Sequence, residues 1–440
     1  MKYIVSYSVE KEIDKKPELF YGFSEWYLNR NYRHGYENRP RTRDVKFTKQ
    51  FVQINLKEFN EMKFKDNDIV ILPFFNRNRL NYEYEMITNQ IKSIFGKNLY
   101  RKNTHLILGV CSESNGNRRR RNPDYNITNE EAGDLVYKLV GKENQKVKLI
   151  VDGSAKYGIK KPTNNKSKLV SGNLFMEWAE KLLTSQKEGG ALAHGEIFKN
   201  NIKKIKKLED RDKLFTCLQR RPRLCRFINL YNIYRYNLDK SGFYSLRLSS
   251  FDPVRGYADT FRRNRDWKIQ SENFKTATRE FTKFIKTLKG RESYQCDDVD
   301  LNVNLALNLN SNHYLDSYFH VVVESLIDSE VMFFTEKIYK PIICGAPFFV
   351  LGNRGSIREL HNLGFKTFDK WWDESYDDDF SHWERSKKVF SILEELNKKS
   401  KSELNIILNE QLPILIDNYN RMKHLIKNNT YIEDIIKLIL

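Results

Sequence analysis

Short apolar runs alternate with amphipathic stretches along most of this chain. Runs at Lys2–Ser8, Asp68–Phe75 (DIVILPFF), Thr104–Cys111 (THLILGVC) and Lys146–Asp152 (KVKLIVD) predict strands. Helical spacing follows at Tyr82–Phe95, Asn129–Val140 and Asn173–Thr184. Strand and helix in alternation over 1–190 predict an N-terminal α/β domain with a parallel sheet. A second series repeats the pattern. Strands are expected at Lys213–Leu218 (KLFTCL), Gly242–Ser249, Tyr318–Val323, Pro347–Leu351 and Lys366–Phe368, with a long helix over Ser271–Gly290. From His382 to Leu440 the spacing is helical throughout.

Polar stretches punctuate these series. Residues 9–50 are rich in Tyr, Arg and Asn and predict a long packed loop or a surface for nucleic acid or glycan; 153–172 is polar and basic and predicts a mobile loop; 291–316 is an Asn/Asp-rich turn. Glycines followed by a lysine-rich helix at 185–212 suggest a linker. The expected organisation is therefore a domain at 1–190, a basic linker at 191–212, a second domain at 213–380 and a helical tail at 381–440 that packs back on the first domain.

The densest information lies in Ser317–Gly364. An apolar strand ends in a carboxylate, Glu324, and after a polar turn Thr335-Glu336-Lys337 opens a helix that Gly345 ends. A buried strand, the tight turn Gly352–Gly355 and a second helix, Ser356–Leu363, follow, with Gly364 as its stop. This is a β–loop–α–β–loop–α unit, whose ligands bind beyond the carboxyl ends of the strands. A helix N-terminus beside a lysine suits a diphosphate: amides and dipole meet the charge and Lys337 adds a mobile cation. Glu336 could accept from sugar hydroxyls. An amphipathic helix with solvated Glu and Lys would show the same spacing.

The strand Lys213–Leu218 leads into Gln219-Arg220-Arg221-Pro222-Arg223-Leu224-Cys225-Arg226-Phe227 and a helix to about Tyr236, with Pro222 suited to its first turn. Arginines at a helix start make a second candidate anion site, with Arg226 or Arg223 as its contact, unless the cluster is merely solvated.

Composition narrows the field. With 76 Lys+Arg against 57 Asp+Glu the net charge is +19, which attracts polyanions such as nucleotide sugars, nucleic acid or an acidic membrane face. No apolar run is long enough to cross a bilayer, and the N-terminus reads as a strand rather than a signal peptide. Five cysteines without a CxxC pair suggest buried thiols in a reducing compartment. The expectation is a soluble, cytoplasmic protein. The histidines show no ligand spacing, and neither Asp210-Arg211-Asp212 nor Asp377–Asp379 makes a convincing metal motif, so neither a metal nor another cofactor is expected.

The run Phe333-Phe334-Thr335-Glu336-Lys337, with Gly345-Ala346-Pro347-Phe348-Phe349-Val350-Leu351-Gly352 after it, resembles the donor-site signature of the α1,3-fucosyltransferase family. The variant form, with Trp371-Trp372-Asp373-Glu374-Ser375-Tyr376-Asp377 downstream, is most similar to relatives from bacteriophages and giant viruses, which would place the protein in host cytoplasm. The resemblance covers roughly 213–380. It implies two Rossmann-like domains facing a cleft, the GT-B arrangement, and inverting transfer of a sugar from a nucleoside-diphosphate sugar, such as GDP-fucose, to a hydroxyl of a glycan or protein.

By the same resemblance Glu324, Phe333, Thr335, Glu336, Lys337 and Arg226, with Arg223 as fallback, bind the donor. Ser325 replaces the family's Asn after Glu324, and Phe333 its Tyr, at the cost of a hydroxyl. Ser112-Glu113-Ser114-Asn115, just after the Thr104 strand, is similar to the family's Glu-Ser-Pro-Asn element, with Asn115-Gly116 in place of its Pro, and implies Glu113 as general base. Beside it Arg118, Arg119, Arg120 and Arg121 form a cationic loop for an anionic acceptor or polyanion. Two rivals remain open: a sugar transferase acting on modified bases of DNA, and a non-catalytic nucleic-acid or structural binding protein on a transferase fold.

Overall fold

The structure, a computed structural model, divides into two compact units: Met1–Leu174 with Ser329–Val331 and Asn429–Leu440, and Phe175–Asp328 with Met332–Asn428. The structure describes residues 2–5, 51–54, 61–63, 65, 68–76, 104–110, 146–152, 167–172, 179, 183, 194–220, 223–248, 274–288, 293–294, 309, 311–324, 327, 334–379 and 381–428.

The first unit holds a six-stranded sheet: β1 (Lys2–Val5), β2 (Phe51–Ile54), β3 (Ile69–Asn76), β4 (Thr104–Val110), β5 (Lys146–Asp152) and β6 (Ser167–Gly172), in the order β2-β1-β3-β4-β5-β6. Every pairing is parallel, and the order reverses between β1 and β3. That is the doubly wound pattern expected from alternating strands and helices. β6 corrects the reading of 153–172 as a loop. A polar sequence such as SKLVSG has little apolar periodicity, yet at a sheet edge one neighbour is enough to pair it. The helices expected at 82–95 and 129–140 lie outside the described residues.

The second unit is built on a five-stranded sheet, β11-β10-β7-β8-β9. Its strands are β7 (Lys213–Leu218), β8 (Gly242–Arg247), β9 (Ser293–Tyr294), β10 (Ser317–Val323) and β11 (Phe348–Leu351). All pair in parallel except β8 with β9. Its helices are α1 (His194–Lys206), α2 (Leu224–Arg235), α3 (Phe274–Thr287), α4 (Ser311–Leu315), α5 (Glu336–Cys344), α6 (Ser356–Asn362), α7 (His382–Asn397), α8 (Lys401–Glu410) and α9 (Leu412–Lys427). β10 and β11 are buried at every position, which is why their sequences read as continuous apolar runs rather than alternating ones.

The chain steps outward from β7 to β8 in one direction and from β10 to β11 in the other. Right-handed crossovers therefore put α2 and α5 on opposite faces of the sheet. On the α2 face, Trp383 of α7 stacks on Tyr231 with ring centroids 5.5 Å apart, and Phe390 meets Phe215 of β7 edge-on. On the α5 face, α1 supplies Asn201, whose side-chain amide donates to the carbonyls of Cys344 and Gly345 at 3.0 and 2.9 Å.

The basic stretch 191–212, expected as a linker, thus contains a helix packed into the second unit. Arg211, just beyond it, is buried and donates to Asn201 Oδ1 at 2.6 Å and to the carbonyls of Tyr314, Leu315 and Ser317. This clasp fixes the start of β10 against the end of α5. Burial draws the Arg211 guanidinium down to about 10, still charged at neutral pH.

No strand forms at Lys366–Phe368. Asn418 of α9 takes the place of a neighbouring strand, accepting from Lys366 N and donating to Lys366 O at 2.8 Å each. On β11, Val350 N donates to the Tyr376 hydroxyl at 3.1 Å. Trp372 packs between Phe319, Phe349 and Phe368, which gives the aromatic part of the Trp371–Asp377 loop a core role. The helices α7 to α9 of the expected tail belong to the second unit; 429–440 lie outside the described residues.

Gly345 ends α5 at φ 66°, and a Cβ there would lie 2.8 Å from the Phe198 ring. Gly345→Ala should lower the unfolding free energy by about 1–3 kcal/mol through left-handed strain and overpacking, read as a lower urea midpoint.

Candidate functional site

β7 and β10 are hydrogen-bonded neighbours, with Phe319 level with Phe215 and His320 with Thr216. Each runs into a helix, α2 or α5, so both helix N-termini open at the same carboxyl edge, where the strand order reverses. In open α/β sheets that crevice is where ligands bind.

On the β10 side the residues form one connected set. Glu324 continues the ladder past β10, its N–H donating to Leu351 O at 3.0 Å. Its carboxylate has no solvent exposure. Oε1 accepts from Thr335 N at 3.1 Å and Oε2 from the Thr335 hydroxyl at 2.6 Å. Thr335, itself fully buried, caps α5 by accepting from Lys337 N at 3.3 Å. The same hydroxyl accepts from Lys337 Nζ at 2.9 Å, and Nζ lies 3.2 Å from Glu336 Oε1.

Burial pushes the Glu324 carboxyl up, against the pull of the Lys337 charge and the two Thr335 bonds; burial wins. Glu324, expected beside the donor, is therefore a buried strut that acts on α5 through Thr335. Lys337 keeps a quarter of its side chain exposed, whereas Glu336 keeps a tenth and is buried, so of this set the lysine faces outward. One turn on, Lys340 is partly buried, and its ammonium falls to about 8, chiefly through burial.

On the β7 side, Arg223 is the N-cap of α2, without a side-chain capping bond, and Arg226 is the third helical residue. Pro222, expected in the first turn, lies outside the described residues and ahead of that start. The first turn contains no acid, so two guanidinium groups sit at the positive end of a helix dipole. Arg226 is buried at 4 % exposure while Arg223 is half-buried. The structure thus places Glu324, Thr335, Glu336 and Lys337 in one hydrogen-bonded set, and Arg223 and Arg226 at the neighbouring junction of the same edge. Glu113, Arg118–Arg121 and Phe333 lie outside the described residues.

The sequence reading missed residues that build this edge from a distance. Asp377 accepts from Ile357 N at 2.7 Å through Oδ2 and so caps α6, the helix after β11. Arg385 of α7 donates to Ile327 O at 2.6 Å, Gly352 O at 3.2 Å and Asp379 O at 2.7 Å. A signal for it exists in the sequence. His382, Arg385 and Ser386 occupy the same helical stripe as Val389, Phe390 and Leu393, so polar groups stand in core register. No group of metal ligands occurs among the described residues.

Thr335→Val removes the cap and takes the hydroxyl donor from Glu324 Oε2, leaving the backbone bond to Oε1 in place. It should destabilise by about 2–4 kcal/mol, with Thr335→Ser close to wild type, as judged by chemical denaturation. Burial raises Asp377 from 3.8 to about 6, with the Ile357 bond opposing. Its contribution to stability is therefore present below pH 3.8 and lost as the pH rises through about 6. Asp377→Asn keeps an acceptor for Ile357 and should flatten the pH dependence of unfolding across that window.

No protein-family model matches the chain, and no curated protein matches it either. Among solved structures, the crystal structure of an α1,3-fucosyltransferase aligns with 98 % of this chain and 91 % of its own, at 9 % identity and a TM-score of 0.35.

Proposed function

We propose that the second unit binds a nucleoside-diphosphate sugar at the carboxyl edge between β7 and β10, and that the protein is a glycosyltransferase. The observation that carries this reading is the pairing of two cation-bearing helix starts on adjacent parallel strands at the strand-order reversal. A diphosphate is the ligand whose charge and length suit such a pair. Lys337, with the α5 amides, would meet one phosphate, and Arg226 or Arg223 the other. Glu336 would accept from a sugar hydroxyl. In the reaction, the acceptor oxygen attacks the anomeric carbon as the bond to the diphosphate oxygen breaks. The electron pair leaves on the diphosphate, whose charge the cations stabilise, and the acceptor proton passes to a carboxylate. Glu113, three residues beyond the end of β4, is the proposed base, and displacement from the opposite side gives inversion. The donor sequence signature favours a GDP-sugar. The net charge of +19 favours a second reading in which the acceptor is a modified base of DNA.

A thermal-shift panel of nucleoside diphosphates should show marked stabilisation by one base, GDP on this reading. Lys337→Ala should weaken that diphosphate by about tenfold or more, measured by calorimetry. Unchanged affinity in Lys337→Ala would remove the lysine from the site, and a panel without any stabilising diphosphate would remove the transferase reading. Duplex binding with a steep fall in log affinity against log salt would identify DNA as the acceptor.

A further inference from the structure

We propose that α7 sets the shape of the carboxyl edge, with Arg385 as the positioning residue of the diphosphate site. The inference rests on the reading of that edge as a diphosphate site, and it concerns how the edge is held rather than what touches the ligand.

Among the loops that leave the sheet there, the first two turns of α7 bond directly to those after β10 and β11, and to the one after β7 through Asn229 of α2. Arg385 is 1 % exposed. Its Nη2 joins Ile327 O, three residues beyond Glu324, to Gly352 O, the first residue after β11, while Nη1 holds Asp379 O. Gly352 also borders the Glu324 side chain: a Cβ there would lie 3.6 Å from Glu324 Cγ and 2.5 Å from Ser356 Oγ. The guanidinium thus pins the loops on both sides of the carboxylate that holds Thr335.

The loop after β7 is held by the neighbouring residues of the same stripe. His382 Nε2 lies 3.2 Å from Cys225 O and 3.1 Å from Asn229 Oδ1; both are acceptors, so Nε2 carries the proton. Ser386 donates to Asn229 Oδ1 at 2.7 Å, Asn232 donates to Ser386 at 2.9 Å, and Asn229 donates to Gln219 Oε1 at 3.1 Å. Gln219 is the first residue after β7, and Cys225 immediately precedes Arg226. A buried cation facing carbonyls is a poor way to gain stability alone, because apolar packing would avoid its desolvation. A planar fork that spans several acceptors is a good way to fix loops relative to one another. A lysine keeps the charge but cannot reproduce the fork.

The test uses the full chain and two substitutions, Arg385→Lys and Arg385→Met, with folding checked by circular dichroism. Calorimetry is run with the nucleoside diphosphate that stabilises the wild type most and with its monophosphate. Both substitutions should weaken the diphosphate by about tenfold or more while the monophosphate changes far less, so the preference for the diphosphate shrinks. Lowered melting temperature with an unchanged diphosphate-to-monophosphate ratio would overturn the proposal and leave Arg385 a purely structural residue. Should neither substitution fold, Ser386→Ala loosens the same stripe more gently. It should reduce diphosphate affinity by about two- to tenfold, and an unchanged affinity overturns the proposal. If the wild type itself binds none of the diphosphates, it is the transferase reading that fails, and this inference with it.

Discussion

A carboxylate with no solvent exposure governs the second unit. Glu324 stands where β10 gives out, and its oxygens find Thr335, across the intervening loop. Its charge would be very unfavourable there alone. Thr335 offers an N–H and an O–H, and the Lys337 charge lies close by. The same hydroxyl that serves the carboxylate also receives the Lys337 amide in the first turn of α5 and the lysine ammonium. One side chain therefore settles where the strand ends, where the helix begins and how the cation is presented. Shifting any of these by a residue would break the chain of bonds and leave a buried charge uncompensated.

The two helix starts at this edge are electrostatic opposites. α5 follows the usual rule, with an acid in its first turn and a hydroxyl cap. α2 breaks it, with arginines at its cap and third position and no acid in its first turn. Local chemistry and global fold disagree at α2, and such disagreements concentrate where a protein does its work. An anion brought to this edge would relieve the tension, and at α5 it would compete with Glu336 for Lys337.

How much of this was readable from the sequence depended on range. α5, with Thr335 as cap and Gly345 as stop, and the strands β5 and β7 were legible to the residue, because their signals are local: a capping hydroxyl, a glycine and apolar runs bounded by polar turns. β6 and β9 were hidden by polar composition or by being two residues long. The apparent strand at 366–368 failed because its backbone is satisfied by an asparagine about fifty residues away rather than by a ladder. The same holds at the site. Thr335, Glu336 and Lys337 announce themselves in one short run, whereas Arg385 reaches Ile327 across 58 residues and Asp377 reaches Ile357 across 20. Periodicity marks the chain from His382 onward as helical, without separating α7 from α8 and α9, and is silent on which loops its polar stripe will meet.

The phenol of Tyr376 on Val350 has a consequence beyond the packing it completes. β11 is the last strand on its side of the sheet, and an amide left open there is an invitation to a foreign strand. The hydroxyl occupies it, and on the far side the sheet ends in a strand of two residues, too short to template anything. Among the described residues, the Val350 amide is thus withheld from an added strand at one margin, and the other margin presents only the two residues of β9.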